Sequence, residues 1–86
     1  MTERAEASAL EAIGLQAGEQ VRFRRADRAR WQLGRVRRLE RDGSLRVTDT
    51  DGAARTVILA HVQVRARRGW EPLADRASRA VQLTLL

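Results

Sequence analysis

The sequence contains no cysteine and no lysine, one histidine, one proline and only three aromatic residues among 86. Without cysteine there is no disulfide framework, no thiolate metal site and no thiol nucleophile. A single histidine, His61, cannot build a multi-histidine metal site within one chain. The longest unbroken aliphatic stretch, Val57 to Ala60, is far too short to span a bilayer, and residues 1–6 lack the apolar run of a secretion signal. These absences predict one small cytoplasmic domain, off the membrane, with a core near the lower limit of what is stable without staples.

What the chain has in quantity is arginine. All seventeen basic residues are arginine, against eleven acids, for a net charge of +6. GC-rich coding accounts for the lack of lysine, but not for the placement of the charge. Residues 1–21 carry −3, residues 22–41 carry +7, residues 42–64 carry −1 and residues 65–86 carry +3. Focused charge of this kind is the footprint of a polyanion partner, because guanidinium makes planar, bidentate contacts with phosphate. The alternative is a solvated face with local ion pairs.

Residues 3–13 are rich in helix formers, with Thr2 as N-cap and Gly14 as the stop; Leu10, Ile13 and Leu15 give this short helix little with which to dock. From Gly18 the apolar period changes to two. Val21 and Phe23 alternate with Arg22 and Arg24 as one strand, and Trp31 to Leu39 form a second. Its parity slips, with Gly34 at the first slip, which predicts a bent strand with a bulge. Asp42-Gly43 and Asp51-Gly52 are hairpin signals around Leu45–Val47 and Thr56–Leu59. A turn at Ala60-His61 leads to a last strand at Val62–Val64. Residues 72–81 then read as a helix after Pro72, with Trp70 plugging the barrel entrance. The expectation is a mainly β fold: a small five-stranded antiparallel barrel over residues 18–66, between an N-terminal helical extension (1–17) and a C-terminal helix with an apolar tail (67–86).

The run Gly18-x-x-Val21-x-Phe23, Trp31-x-x-Gly34-x-Val36, Asp42-Gly43-Ser44-Leu45-x-Val47-x-Asp49-x-Asp51-Gly52 and Val62-x-Val64 resembles a Tudor- or SH3-like barrel. Such barrels bind DNA, RNA, methylated side chains or peptides, so the likeness implies a fold and does not choose a ligand. Gln82, Leu83, Leu85 and Leu86 are similar to the short peptide by which bacterial proteins dock on the DNA sliding clamp, with leucine in place of its final phenylalanine. That resemblance implies a partner-binding tail and a replication or repair partner. The alternative is that these leucines add a strand or cover a gap in the barrel. The tail from Trp70 to Leu83 also resembles the ends of short actinobacterial proteins, which implies no function.

No catalytic pattern is legible. His61 has no serine or cysteine nucleophile beside it, and a calcium loop with Gly52 in sixth place would put Val47 and Ile58 where ligands are required. The sequence therefore predicts no enzyme, no cofactor and no metal. Three aromatics are too few for a methyl-lysine cage or a run of base-stacking platforms. The remaining expectation is contact with a nucleic-acid backbone, DNA in preference to RNA, through Arg22, Arg24, Arg28, Arg30, Arg35, Arg37 and Arg38 on neighbouring strands. The alternative is a protein-interaction module for an acidic partner. An apolar tail that pairs copies into a homodimer is compatible with either.

Overall fold

The computed structural model describes residues 2–85, with side chains described for residues 4–82. The elements in chain order are helix α1 (Thr2–Ala12), strands β1 (Gln20–Phe23), β2 (Gln32–Leu39), β3 (Leu45–Asp49) and β4 (Ala54–Val57), a 3-10 turn (Leu59–His61), strands β5 (Val62–Ala66) and β6 (Gly69–Pro72), and helix α2 (Leu73–Leu85). The strands form one antiparallel sheet in the order β4-β3-β2-β1-β5-β6. The fold is thus mainly β with two short terminal helices, a barrel-like globule whose outer strands β4 and β6 do not pair with each other.

The inward face explains why the chain folds this way. Val21, Phe23, Val36, Leu45, Val47, Val57, Val62 and Val64 alternate along their strands and close into one core with Leu10, Leu15 and Leu73. Burying such side chains is worth about 1.5–3 kcal/mol each, the main favourable term in so small a domain.

Helix α1 docks more firmly than its few apolar residues suggest. Gly14 adopts φ +79°, its N–H bonds the Glu11 carbonyl, and the Leu15 N–H bonds the Leu10 carbonyl at 2.9 Å. This paired closure satisfies the last helical carbonyls and brings Leu10 against Leu15, both completely buried.

Three expectations are corrected. The sheet has a sixth strand, β6, where the sequence suggested the approach to a helix; Arg65 pairs with Trp70 and Ala66 with Gly69. Gly34 is not the bulge: it pairs in register with Val21 and Asp49, and the irregularity lies between Val36 and Arg38. Glycine is required at 34 by packing, because a Cβ there would lie 2.9 Å from both the Phe23 ring and the Thr48 carbonyl oxygen. The bulge at Arg37 lets Val36 and Leu39 both turn inward while Arg37 and Arg38 face solvent. Finally, Trp70 does not plug the barrel. It stands on the outer face of β6, half-buried among arginines.

Helix α2 runs to Leu85 rather than ending near residue 81. Its inward side is Leu73, Arg76, Ala77 and Ala80, and Val81 is exposed. Of the tail residues proposed for partner binding, Gln82 is exposed on α2 and the backbone of Leu83 and Leu85 is helical. The side chains of Leu83 and Leu85, and all of Leu86, lie outside the described residues.

Candidate nucleic-acid interface

Strand alternation decides which arginines share a face. On β1, Val21 and Phe23 point inward, so Arg22 points outward, opposite Leu33 of β2 on one side and Gln63 of β5 on the other. Its Nε donates to Gln63 Oε1 at 2.6 Å. Arg24 follows on the same side just past the strand. Between them and neighbouring residues lie the chain's two tryptophans.

The guanidinium carbon of Arg24 is 4.5 Å from the Trp31 ring centre, and that of Arg22 is 4.7 Å from the same ring. Arg22 also lies 5.3 Å from the ring of Trp70, which in turn takes Arg65 at 4.9 Å. The result is an alternating series, Arg24–Trp31–Arg22–Trp70–Arg65, crossing β1, β5 and β6 on the outside of the sheet. Each such contact contributes about 0.5–1 kcal/mol at an exposed site. An arginine stacked by its face can still offer N–H groups to an anion, although here the Arg22 Nε is bound to Gln63 and the Arg24 Nε is buried.

The other expected site residues fall into different situations. Arg28 and Arg30 sit in the loop between β1 and β2, exposed, with Arg28 in a turn at φ +70°. Neither makes a hydrogen bond or ion pair with any described residue, and the same holds for Arg25 beside them and for Arg37 in the bulge. Arg35 lies mid-sheet and donates to the Gly18 carbonyl at 3.1 Å. Arg38 is at the opposite end of β2, about 20 Å along the strand from Gln32. There it meets Glu40 at 3.2 Å, and Glu40 also takes Arg46 at 3.6 Å. The structure therefore gathers Arg22, Arg24, Arg28 and Arg30 at one end of the sheet and leaves Arg37 and Arg38 at the other.

Trp31, Trp70 and Arg65 belong to the stacked series and are not among the residues the sequence singles out for this surface. The available signal was aromatic residues set within arginine clusters, Arg30-Trp31 and Arg68-Gly69-Trp70.

Four carboxylates pair with arginines outside the stacked series. Glu40, Asp49, Glu19 and Glu71 pair with Arg38 and Arg46, Arg55, Arg76 and Arg79 respectively. Asp49 is buried at the β3–β4 hairpin. The backbone N–H of Ala53, then the Arg55 side chain, hold its carboxyl below its ordinary pKa. Asp42 is likewise held low by the Ser44 hydroxyl and then the Ser44 backbone N–H. Both carboxylates organise turns. Asp27, 3.9 Å from Arg24 and 3.3 Å from His61 Nε2, is the one acid ion-paired to a stacked arginine among the described residues, and its side chain is 86% exposed. So exposed a pair neutralises little.

Among the described residues no group of three or more His, Cys, Asp or Glu side chains could hold a metal ion, and no helix is long and apolar enough to cross a membrane. Comparison with protein-family models, with curated proteins and with solved structures finds no match for this chain.

Proposed function

We propose that this protein is a non-enzymatic nucleic-acid-binding module that grips the phosphate backbone of duplex DNA on the outer face of its sheet. The observation that carries the proposal is the Arg24–Trp31–Arg22–Trp70–Arg65 series, with unpartnered Arg28 and Arg30 in the loop that leads into Trp31. The indoles hold three guanidiniums in place without cancelling their charge, and the loop adds exposed, unpartnered cations at one end. Phosphates, not bases, are the target: both indoles are half-buried and already occupied by arginine, and Phe23 is buried, so no open stacking platform is offered. No helix lies on this face to enter a groove, so binding is largely independent of sequence.

The test is fluorescence anisotropy of a labelled duplex across a range of salt. A face that engages about five phosphates gives a slope of log K against log salt of about −4.5. The double variant Arg28→Glu/Arg30→Glu weakens binding strongly and makes the slope shallower by about 1.8, whereas Arg38→Glu, already matched by Glu40 and remote from the series, changes it little. Absence of duplex binding at low salt overturns the proposal and leaves the arginines to an acidic protein partner.

A further inference from the structure

A second basic feature lies on the far side of Trp70. The β5–β6 hairpin turns through two residues, Arg67 and Arg68, and faces α2 across a cleft of about 690 Å³ lined by Arg65, Arg67, Arg68, Glu71, Arg76 and Arg79. Five arginines line it, of which Arg76 and Arg79 are paired with Glu19 and Glu71, leaving Arg65, Arg67 and Arg68 without a carboxylate.

The two sides of the cleft differ. On the α2 side the arginines are fixed: Arg76 donates to the Arg65 carbonyl at 2.6 Å and pairs with Glu19, and Arg79 pairs with Glu71. On the hairpin side Arg67 and Arg68 are exposed and have no hydrogen bond or ion pair with any described residue. The hairpin takes its positive φ, +121°, at Gly69, so the turn makes no demand for arginine at 67 or 68. Neither side chain gains from a neighbour, which is how a loop looks when its side chains serve a ligand.

We infer that this cleft binds a phosphate group carrying two or more charges, a phosphate monoester or a pyrophosphate, closed over by Arg67 and Arg68. A single diester linkage, with one charge, leaves two of the three uncancelled arginines unmatched, whereas a multiply charged phosphate accepts bidentate contacts from several guanidiniums at once. The cleft shares Arg65 with the proposed duplex-binding face, but Arg67 and Arg68 lie outside that face and Arg28 and Arg30 outside the cleft, so either reading can fail alone. The ligand reaches it as a free phosphoanion or as the terminal phosphate of a nucleic acid.

Calorimetric titration of the whole protein with inorganic pyrophosphate at low salt tests the site. Saturable binding is expected, weakened about tenfold or more in Arg67→Ala/Arg68→Ala, as for the loss of charge-assisted contacts, with the thermal midpoint unchanged. The control Arg28→Ala/Arg30→Ala binds pyrophosphate like the parent. A duplex with a 5′-phosphate is then compared with one ending in hydroxyl. A preference that vanishes in the Arg67/Arg68 variant assigns the cleft to nucleic-acid ends; equal affinities, with pyrophosphate binding intact, assign it to a free phosphoanion. If pyrophosphate does not bind, or if the Arg28/Arg30 variant loses it as much as the Arg67/Arg68 variant does, the cleft is not a site.

Discussion

Arg22 is the residue whose replacement reports most on the stacked series, because it alone touches both indoles and also bonds Gln63. Arg22→Met keeps an unbranched stem of similar reach and removes the cation. The charge-assisted hydrogen bond at 2.6 Å is worth about 1.5 kcal/mol and the two ring contacts about 0.5 kcal/mol each. Two terms act the other way: the methionine thioether packs favourably on the rings, and Arg24 and Arg65 lose a like-charged neighbour. The expected net loss is about 2 kcal/mol, which lowers the thermal midpoint of a domain this size by about 10 °C.

Arg22→Lys separates orientation from charge. Lysine keeps the charge and gives up the planar fork, so it destabilises by about half as much as methionine. In the duplex titration, methionine makes the salt slope shallower by about 0.9, one phosphate contact, and lysine leaves it unchanged. Urea unfolding supplies the stability difference, with an unchanged m-value required for the comparison. A methionine variant as stable as the parent would show that the series is merely tolerated. An unchanged salt slope in that variant would show that Arg22 meets no phosphate, whatever its role in the fold.

Other positions test the framework. Gly34→Ala places a Cβ 2.9 Å from the Phe23 ring and from a backbone carbonyl that cannot retreat, and costs about 2 kcal/mol in urea unfolding; a neutral result would refute the packing reason for glycine. Leu10→Ala costs about 3 kcal/mol if α1 is part of the cooperative core, and less than about 0.5 kcal/mol if it is an appendage. Asp49 titrates below its ordinary pKa in the folded chain, so its stabilisation is complete above that ordinary value and is lost as pH falls through the lower folded one. Thermal midpoints measured from pH 6 to pH 2 should therefore decline less steeply below about pH 4 in Asp49→Asn than in the parent. Parallel acid limbs would remove Asp49 from the account.

The parts of the fold that could be read from the sequence are those governed by local pattern. Val21 and Phe23 alternate with arginine, and Asp42-Gly43 and Asp51-Gly52 mark the two hairpins around β3. β6 could not be read because Gly69-Trp70-Glu71-Pro72 has no apolar alternation; it is a strand through its pairing with β5. The apolar pattern puts the slip at Gly34 because Trp31 and Leu33 share one parity and Val36 has the other. Both stand on the outer side, Trp31 under arginine and Leu33 42% exposed opposite Arg22. The stacked series itself joins residues at positions 22, 24, 31, 65 and 70. No window of sequence contains it, and only the meeting of β1 with β5 and of β5 with β6 brings its parts together.

An arginine block in sequence is not yet a binding face, and what holds each guanidinium decides the difference. Arg38, Arg46, Arg55, Arg76 and Arg79 are held by carboxylates, which fix them and cancel most of their field. Arg28, Arg30, Arg37, Arg67 and Arg68 keep their field and all their rotamer freedom, so each must give up as much as about 2 kcal/mol of side-chain entropy to hold a phosphate. Arg22, Arg24 and Arg65 are held by indoles, which restrict them and leave the charge in place. A phosphate that meets them pays little ordering cost, so affinity per contact is higher there than at a free surface arginine. Replacing both tryptophans by leucine should therefore weaken duplex binding without altering net charge. If affinity and salt slope both survive that change, orientation by the rings contributes nothing, and the interface is only a sum of charges.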